Sequence, residues 1–276
     1  MNLSTKNLDE LFFIHDDMGK IRCCKILLAS KDFVNNDYLI IGLSIGSVLI
    51  WNLANNSIVK KLEGHTDEIE CLIFFNNNVL SGSADKSIRI WNFDTGMCTK
   101  ILKNHSMSIK CLIIIKNYLA SGSADKSIKI WDSQNFNHLI SLDGHKSSIT
   151  ILESLSDENL ISGSADTKIK IWNLEGTCLS TFDVHLASIT SIIQINKNTI
   201  ISSDDSGSII IWSLNDKLIK YIFENSENSI LQLRQLTDET IVSCSSDKSV
   251  IIWDINTGSN TTMLKTCQEV KSIEFL

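Results

Sequence analysis

The stretch GHTDEIECLIFFNNNVLSGSADKSIRIWN, residues 64–92, decides how the whole chain is read. It opens on a Gly-His step, runs through an apolar segment, turns on three asparagines, resumes as VLSGS, turns again at Ala84-Asp85-Lys86 and ends in SIRIWN. The apolar residues alternate instead of recurring every three or four positions. Ile, Val and Phe fill runs bounded by turn-forming residues, so strands are favoured over helix. A DTG turn and the segment MCTKIL, ending at Leu102, complete a unit of four short strands.

Outward from that unit the chain repeats it. Tryptophans stand at 51, 91, 131, 172, 212 and 253, always 40 or 41 residues apart. His65, His105, His145 and His185 are spaced by 40, and each precedes a tryptophan by 26 or 27 residues. Two residue types in phase mark a repeat architecture whose unit cannot bury its apolar face alone. Tyr38 to Trp51 (YLIIGLSIGSVLIW) has 14 uncharged residues, too few for a membrane span, and reads as two buried strands and a turn.

Composition sets the limits. The chain has 276 residues, 43% hydrophobic and 21% charged, enough apolar matter for a core. It lacks proline, so its turns fall to Gly, Asn, Asp and Ser. A net charge of -7, with only Arg22, Arg89 and Arg234 as arginines, argues against nucleic acid as the main partner. The amino terminus lacks the apolar core of a secretory signal, which predicts a cytoplasmic or nuclear protein and reduced cysteines. Cys71 and Cys111 share one strand position and Cys98 and Cys178 another, as packing residues would; adjacent Cys23 and Cys24 should face opposite ways. No C-x-x-C pair suggests a metal site, and no phosphate-cradling loop or hydrolase motif suggests a cofactor or a small-molecule substrate.

The Gly-His start, the SGSAD turn and the Trp-Asn or Trp-Asp end resemble the WD40 family of β-propellers, whose repeat has four strands per blade. The resemblance is sharpest at 64–92, 104–132 and 144–173 and covers about residues 20–276. It implies an all-β, WD40-type propeller forming a single domain over 1–276, with repeats near 20–52, 58–92, 98–132, 138–173, 178–213 and 219–254. Segments 8–17 and 269–276 look like lone outer and inner closure strands. Seven-bladed geometry with an incomplete closing blade, in a chain stopping in mid-repeat, is the expectation; six blades with two stray strands is the alternative.

In the family a histidine, a serine, a turn aspartate and the tryptophan form one hydrogen-bonded network. Carried over by position, the sets are His65, Ser81, Asp85 and Trp91; His105, Ser121, Asp125 and Trp131; His145, Ser162, Asp166 and Trp172. Ser, His and Asp are also the members of a hydrolytic triad, but a catalytic constellation occurs once, whereas three sets at a fixed spacing point to structural staples. The network is expected to weaken elsewhere. In the fifth copy Ser206 stands six before Trp212, with Asp205 the nearest acid; in the sixth Ser226 replaces histidine; in the first Ile45 replaces aspartate. Stiff second to fourth blades follow, with softer ones beside the closure.

The resemblance further implies a non-enzymatic platform for protein or peptide partners, binding no membrane and no cofactor. Its peptide-binding top face would use the residue after the first apolar anchor of each inner strand: Arg22, Glu70, Lys110, Thr150, Thr190, Leu231 and Lys271. Ala84, Ala124, Ala165 and Ser246 leave that rim shallow. Phosphopeptide readers need clustered arginines, and only Arg22 is available, near Lys20 and Lys271. Members docking on a cullin-type ubiquitin ligase often carry arginine three residues after the tryptophan; here those residues are Ala54, Asp94, Gln134, Glu175, Asn215 and Asn256. A scaffold or adaptor is the leading reading. The alternatives are a substrate- or phosphopeptide-recognition subunit, for example of a ubiquitin ligase, and a propeller-fold enzyme.

Overall fold

A computed structural model describes residues 19–27, 37–224 and 228–265. The described residues form six four-stranded antiparallel sheets of the β-propeller type and no helix. The second sheet is representative: strands Ile69–Phe75, Asn78–Ser83, Ile88–Asn92 and Cys98–Leu102 pair in sequence order. The other five follow the same plan over 21–62, 109–142, 149–182, 189–224 and 230–265. The segment from Tyr38 to Trp51 forms the second and third strands of the first sheet around a turn at Ser44–Gly46. Segments 8–17 and 269–276, expected as closure strands, lie outside the described residues.

Two compact units divide the chain, residues 1–109 and 110–276. Within the first, Ile40, Val48 and Ile50 pack with Ile69, Leu72, Val79 and Trp91 of the next sheet. Within the second, one cluster joins the third and fourth sheets, another the fourth and fifth, and a third the fifth and sixth. A sheet cannot cover its own faces, and in the second strands consecutive residues such as 79–83 are all buried, so these shared layers hold the repeats together, and backbone approaches tightly there. A Cβ added at Gly122 would lie 2.6 Å from both Cys111 Sγ and Ile149 Cγ2, and Gly42 stands in the same relation to Cys23 and Ile69.

The tight turn expected at Ala84-Asp85-Lys86 has an unusual backbone. Lys86, Lys126, Thr167 and Lys248 take the left-handed position after the turn aspartate, with φ of 71°, 75°, 70° and 70°, a conformation that favours Gly and Asn. The aspartate explains the tolerance. Asp85 Oδ1 accepts the Ser87 amide (2.9 Å) and hydroxyl (2.6 Å), and Lys86 N–H donates to Ser83 O (3.2 Å). Side-chain capping of this kind fixes the turn and offsets the backbone cost.

Candidate functional site

The recurring polar residues converge as the hydrogen-bonding capacity of each side chain demands. In the second sheet His65 Nδ1 lies 2.7 Å from Asp85 Oδ2 and Nε2 lies 2.8 Å from Ser81 Oγ, whose oxygen accepts from Trp91 Nε1–H at 2.8 Å. The fourth sheet repeats this with His145, Asp166, Ser162 and Trp172 at 2.9, 2.8 and 2.8 Å. In the third, Trp131 Nε1–H donates to Ser121 Oγ (2.9 Å), Ser127 Oγ–H donates to Asp125 (2.6 Å), and His105 is buried.

Charge states follow from the surroundings. Burial pushes the Asp85 carboxyl up, but hydrogen bonds from His65 and Ser87 outweigh it and hold the group well below the ordinary carboxylate range. Burial likewise works against Asp166, and the Lys146 amide and His145 overcome it. His145 is itself shifted down by burial against the pull of Asp166, so its ring is neutral near pH 7. An ionised carboxylate only accepts, so Nδ1 carries the proton and donates to Asp166, leaving Nε2 to accept from Ser162. Ser81, Ser121 and Ser162 are each 0% exposed. A serine so enclosed, with an indole N–H on its oxygen, is not presented to a substrate as a nucleophile.

The fifth sheet corrects the expected weakening. His185 Nδ1 meets Asp204 Oδ2 at 2.8 Å, Nε2 meets Ser202 Oγ at 2.6 Å, and Trp212 Nε1–H donates to Ser202 at 2.8 Å. The acid is therefore Asp204, not Asp205, which is exposed. Serine and aspartate have exchanged places relative to SGSAD: Asp204 occupies the last strand position and Ser206 the turn, donating its hydroxyl to Asp204 Oδ1 (2.6 Å). The signal lay in strand alternation, because Asp204 is two residues from Ser202 and shares its face, whereas Asp205 points the other way. In the sixth sheet Trp253 Nε1–H still donates to Ser243 (2.9 Å), while Ser226 lies outside the described residues. In the first sheet Trp51 turns instead to Asn56 Oδ1 (3.2 Å).

The residues expected on the top face share a backbone device. Between strands one and two the register slips at Ile21/Cys23, Ile69/Cys71, Ile149/Ile151, Ile189/Ser191 and Ile230/Gln232. Arg22, Glu70, Thr150, Thr190 and Leu231 are thus the extra residues of β-bulges, which re-aim a side chain out of the regular pleat. Lys110 holds the equivalent place after Ile109 and is half-buried; Lys271 lies outside the described residues. Their chemistry is uneven. Arg22 is paired with Glu68 (2.9 Å) and Glu70 (3.6 Å), so its charge is already compensated. Thr150 Oγ1–H donates to Ile189 O (2.6 Å) and Thr190 Oγ1 meets Ser203 Oγ (3.0 Å), so both hydroxyls serve the fold.

The cysteines pack. Burial pushes the Cys23 and Cys111 thiols up to about 12 and Cys244 up to about 11, so thiolate chemistry near neutrality is suppressed. Cys24, beside Cys23, is exposed. Among the described residues no group of three His, Cys, Asp or Glu side chains is placed to hold a metal ion.

Comparison with known proteins agrees with this geometry. The family model described as "WD domain, G-beta repeat" matches residues 56–92, 96–132, 136–173, 176–213 and 219–254. The repeat at 20–52 lies outside those matches yet supplies the first three strands of the first sheet, whose fourth, Ser57–Leu62, falls within the first match. Two curated human proteins, F-box and WD repeat domain containing protein 10B and F-box/WD repeat-containing protein 10, are each 36% identical over 59 residues, or 21% of this chain. That stretch is 8% and 5% of their respective lengths. Among solved structures, the computationally designed Ika8 protein is 27% identical with a TM-score of 0.79, over 93% of this chain and 78% of that one. With five family matches covering more than half of the sequence, in phase with its sheets, the chain belongs to the WD40-repeat family.

Proposed function

We propose that the protein is a non-enzymatic scaffold or adaptor, working in the cytoplasm or nucleus, that assembles protein or peptide partners through its bulge residues. The observation that carries this reading is the bulge repeated in sheet after sheet, which turns one variable side chain per repeat out of an otherwise uniform framework. Variation at a fixed backbone position is how a rigid fold acquires a specific surface. Lys110 and Leu231 are the residues to test, as one charged and one apolar position in the set, whereas the Thr150 and Thr190 hydroxyls bond within the fold. Affinity capture on the intact chain, compared with Lys110→Glu and Leu231→Arg, should show at least one partner reduced by about tenfold or more, as loss of a packed or charged contact gives. Retention of every partner by both variants would move the binding surface elsewhere.

A second reading, a substrate-recognition subunit, is favoured by the similarity to two F-box/WD repeat proteins. Its phosphopeptide form is disfavoured by Arg22, which already faces two carboxylates.

A further inference from the structure

The junction between the fifth and sixth sheets holds a cavity of about 360 Å³, within the range of pockets that accept a ligand. In five of the six sheets the first residue of the second strand pairs with the residue following the tryptophan. That first residue is Tyr38 in the first sheet, Asn78 in the second, Tyr118 in the third, Thr199 in the fifth and Thr240 in the sixth. Tyr38 sends its ring to the next sheet, edge-on to Phe93 with centroids 5.3 Å apart, and Tyr118 packs in one cluster with Leu174. Phe93, Leu174 and Ile255 are equivalent, each two residues after its tryptophan. At the fifth junction, as at the second, the chain supplies no phenol ring at this position, and here Thr199 and Ile255 line an open space.

One lining residue, Tyr221, supplies an independent pointer. Phe223 stacks on Trp253 at 5.8 Å and 8°, and Tyr221 stacks on Phe223 at 6.3 Å and 27°. This ladder of rings ends at Tyr221, which is 46% exposed and forms part of the lining. Ile211 and Ile255, 1% and 9% exposed, supply apolar surface. Asn256 and Asp238 add groups able to accept a hydroxyl proton. We propose that this cavity is a socket for an aromatic side chain of a partner protein, tyrosine above all, which would fill the place that Tyr38 and Tyr118 fill from within the chain. Aromatic pairs of this kind gain beyond their buried area through edge-to-face or offset contact. The proposal rests on reading the chain as a protein-binding module, but its site is separate from the bulge residues.

The test is an amide-resolved NMR titration of the intact chain with N-acetyl-tyrosine methylamide, with the leucine derivative as control. Saturable shifts are expected at residues 195–199, 220–221 and 255–256, with the leucine derivative weaker by about tenfold. Thr199→Tyr, which copies Tyr38 and fills the place from within, should abolish the response while the melting temperature is retained or raised. If that variant fails to fold, Tyr221→Ala, which removes the exposed ring from the lining, decides the matter by the same loss. Absence of saturable shifts, an equal response to the leucine derivative, or undiminished binding by the folded variants would overturn the socket. The titration needs no natural partner, so its failure is separable from failure of the scaffold reading.

Discussion

At the scale of residues, the composition of a hydrolytic triad here produces a staple. The difference lies in what surrounds the serine: Ser162 is enclosed, bonded to His145 at 2.8 Å and loaded by the Trp172 indole at 2.8 Å. Each carboxylate is held in its charged form by donors that exist only in the fold, and this makes stability depend on pH. Asp85, Asp166 and Asp204 titrate below their unfolded values. Their contribution is present above the unfolded aspartate value of about 3.9 and is lost as pH falls through the folded values. His145 is also lowered, so the unfolded chain takes up its proton first and stability drops as pH falls through about 6.5. Both effects have one sign. Urea unfolding between about pH 7 and pH 3 should show stability falling from about 6.5 downward and more steeply below about 4; a rise on acidification would contradict the charge states assigned here.

At the scale of elements, the four-strand unit and its tight turn were legible because alternation and turn residues are local signals. The His-Ser-Asp-Trp sets at 65–91, 105–131 and 145–172 were legible because they repeat without change. The fifth set is not legible from spacing to Trp212, because spacing does not say which face of the strand each acid occupies. Asp204 shares the face of Ser202 and is 0% exposed; Asp205 faces out, accepting from Ser229 Oγ (2.8 Å). The lysines and threonine in left-handed turns were also beyond a reading by residue preference, because the aspartate cap that supports them is a contact across the turn. Asp204→Asn should therefore cost about 1–3 kcal/mol in chemical denaturation, since it disturbs a buried network, whereas Asp205→Asn should change stability by less than about 0.5 kcal/mol. Equal costs for the two variants would return the fifth set to the register first expected.

At the scale of the molecule, a period of 40 or 41 residues read from the tryptophans accounts for the six sheets, and the missing proline proved compatible with turns built on aspartate caps. The cavity between the fifth and sixth sheets was not legible. Its lining brings Thr199 together with Ile255 of the next sheet, and the comparison of Thr199 with Tyr118 becomes visible only when strand register aligns them. The central claim is that the recurring polar sets are what stiffen the blades, through the fifth as well as the second to fourth. In the first sheet, Trp51 has a lone bond of 3.2 Å to Asn56 in place of the buried serine. Exchange of the indole N–H protons, resolved for each tryptophan, tests this most directly. Trp91, Trp131, Trp172 and Trp212 should exchange about 10- to 100-fold more slowly than Trp51, the factor that 1–3 kcal/mol of local stability gives. A Trp51 indole that exchanged as slowly as that of Trp172, or a Trp212 indole as fast as Trp51, would contradict the account.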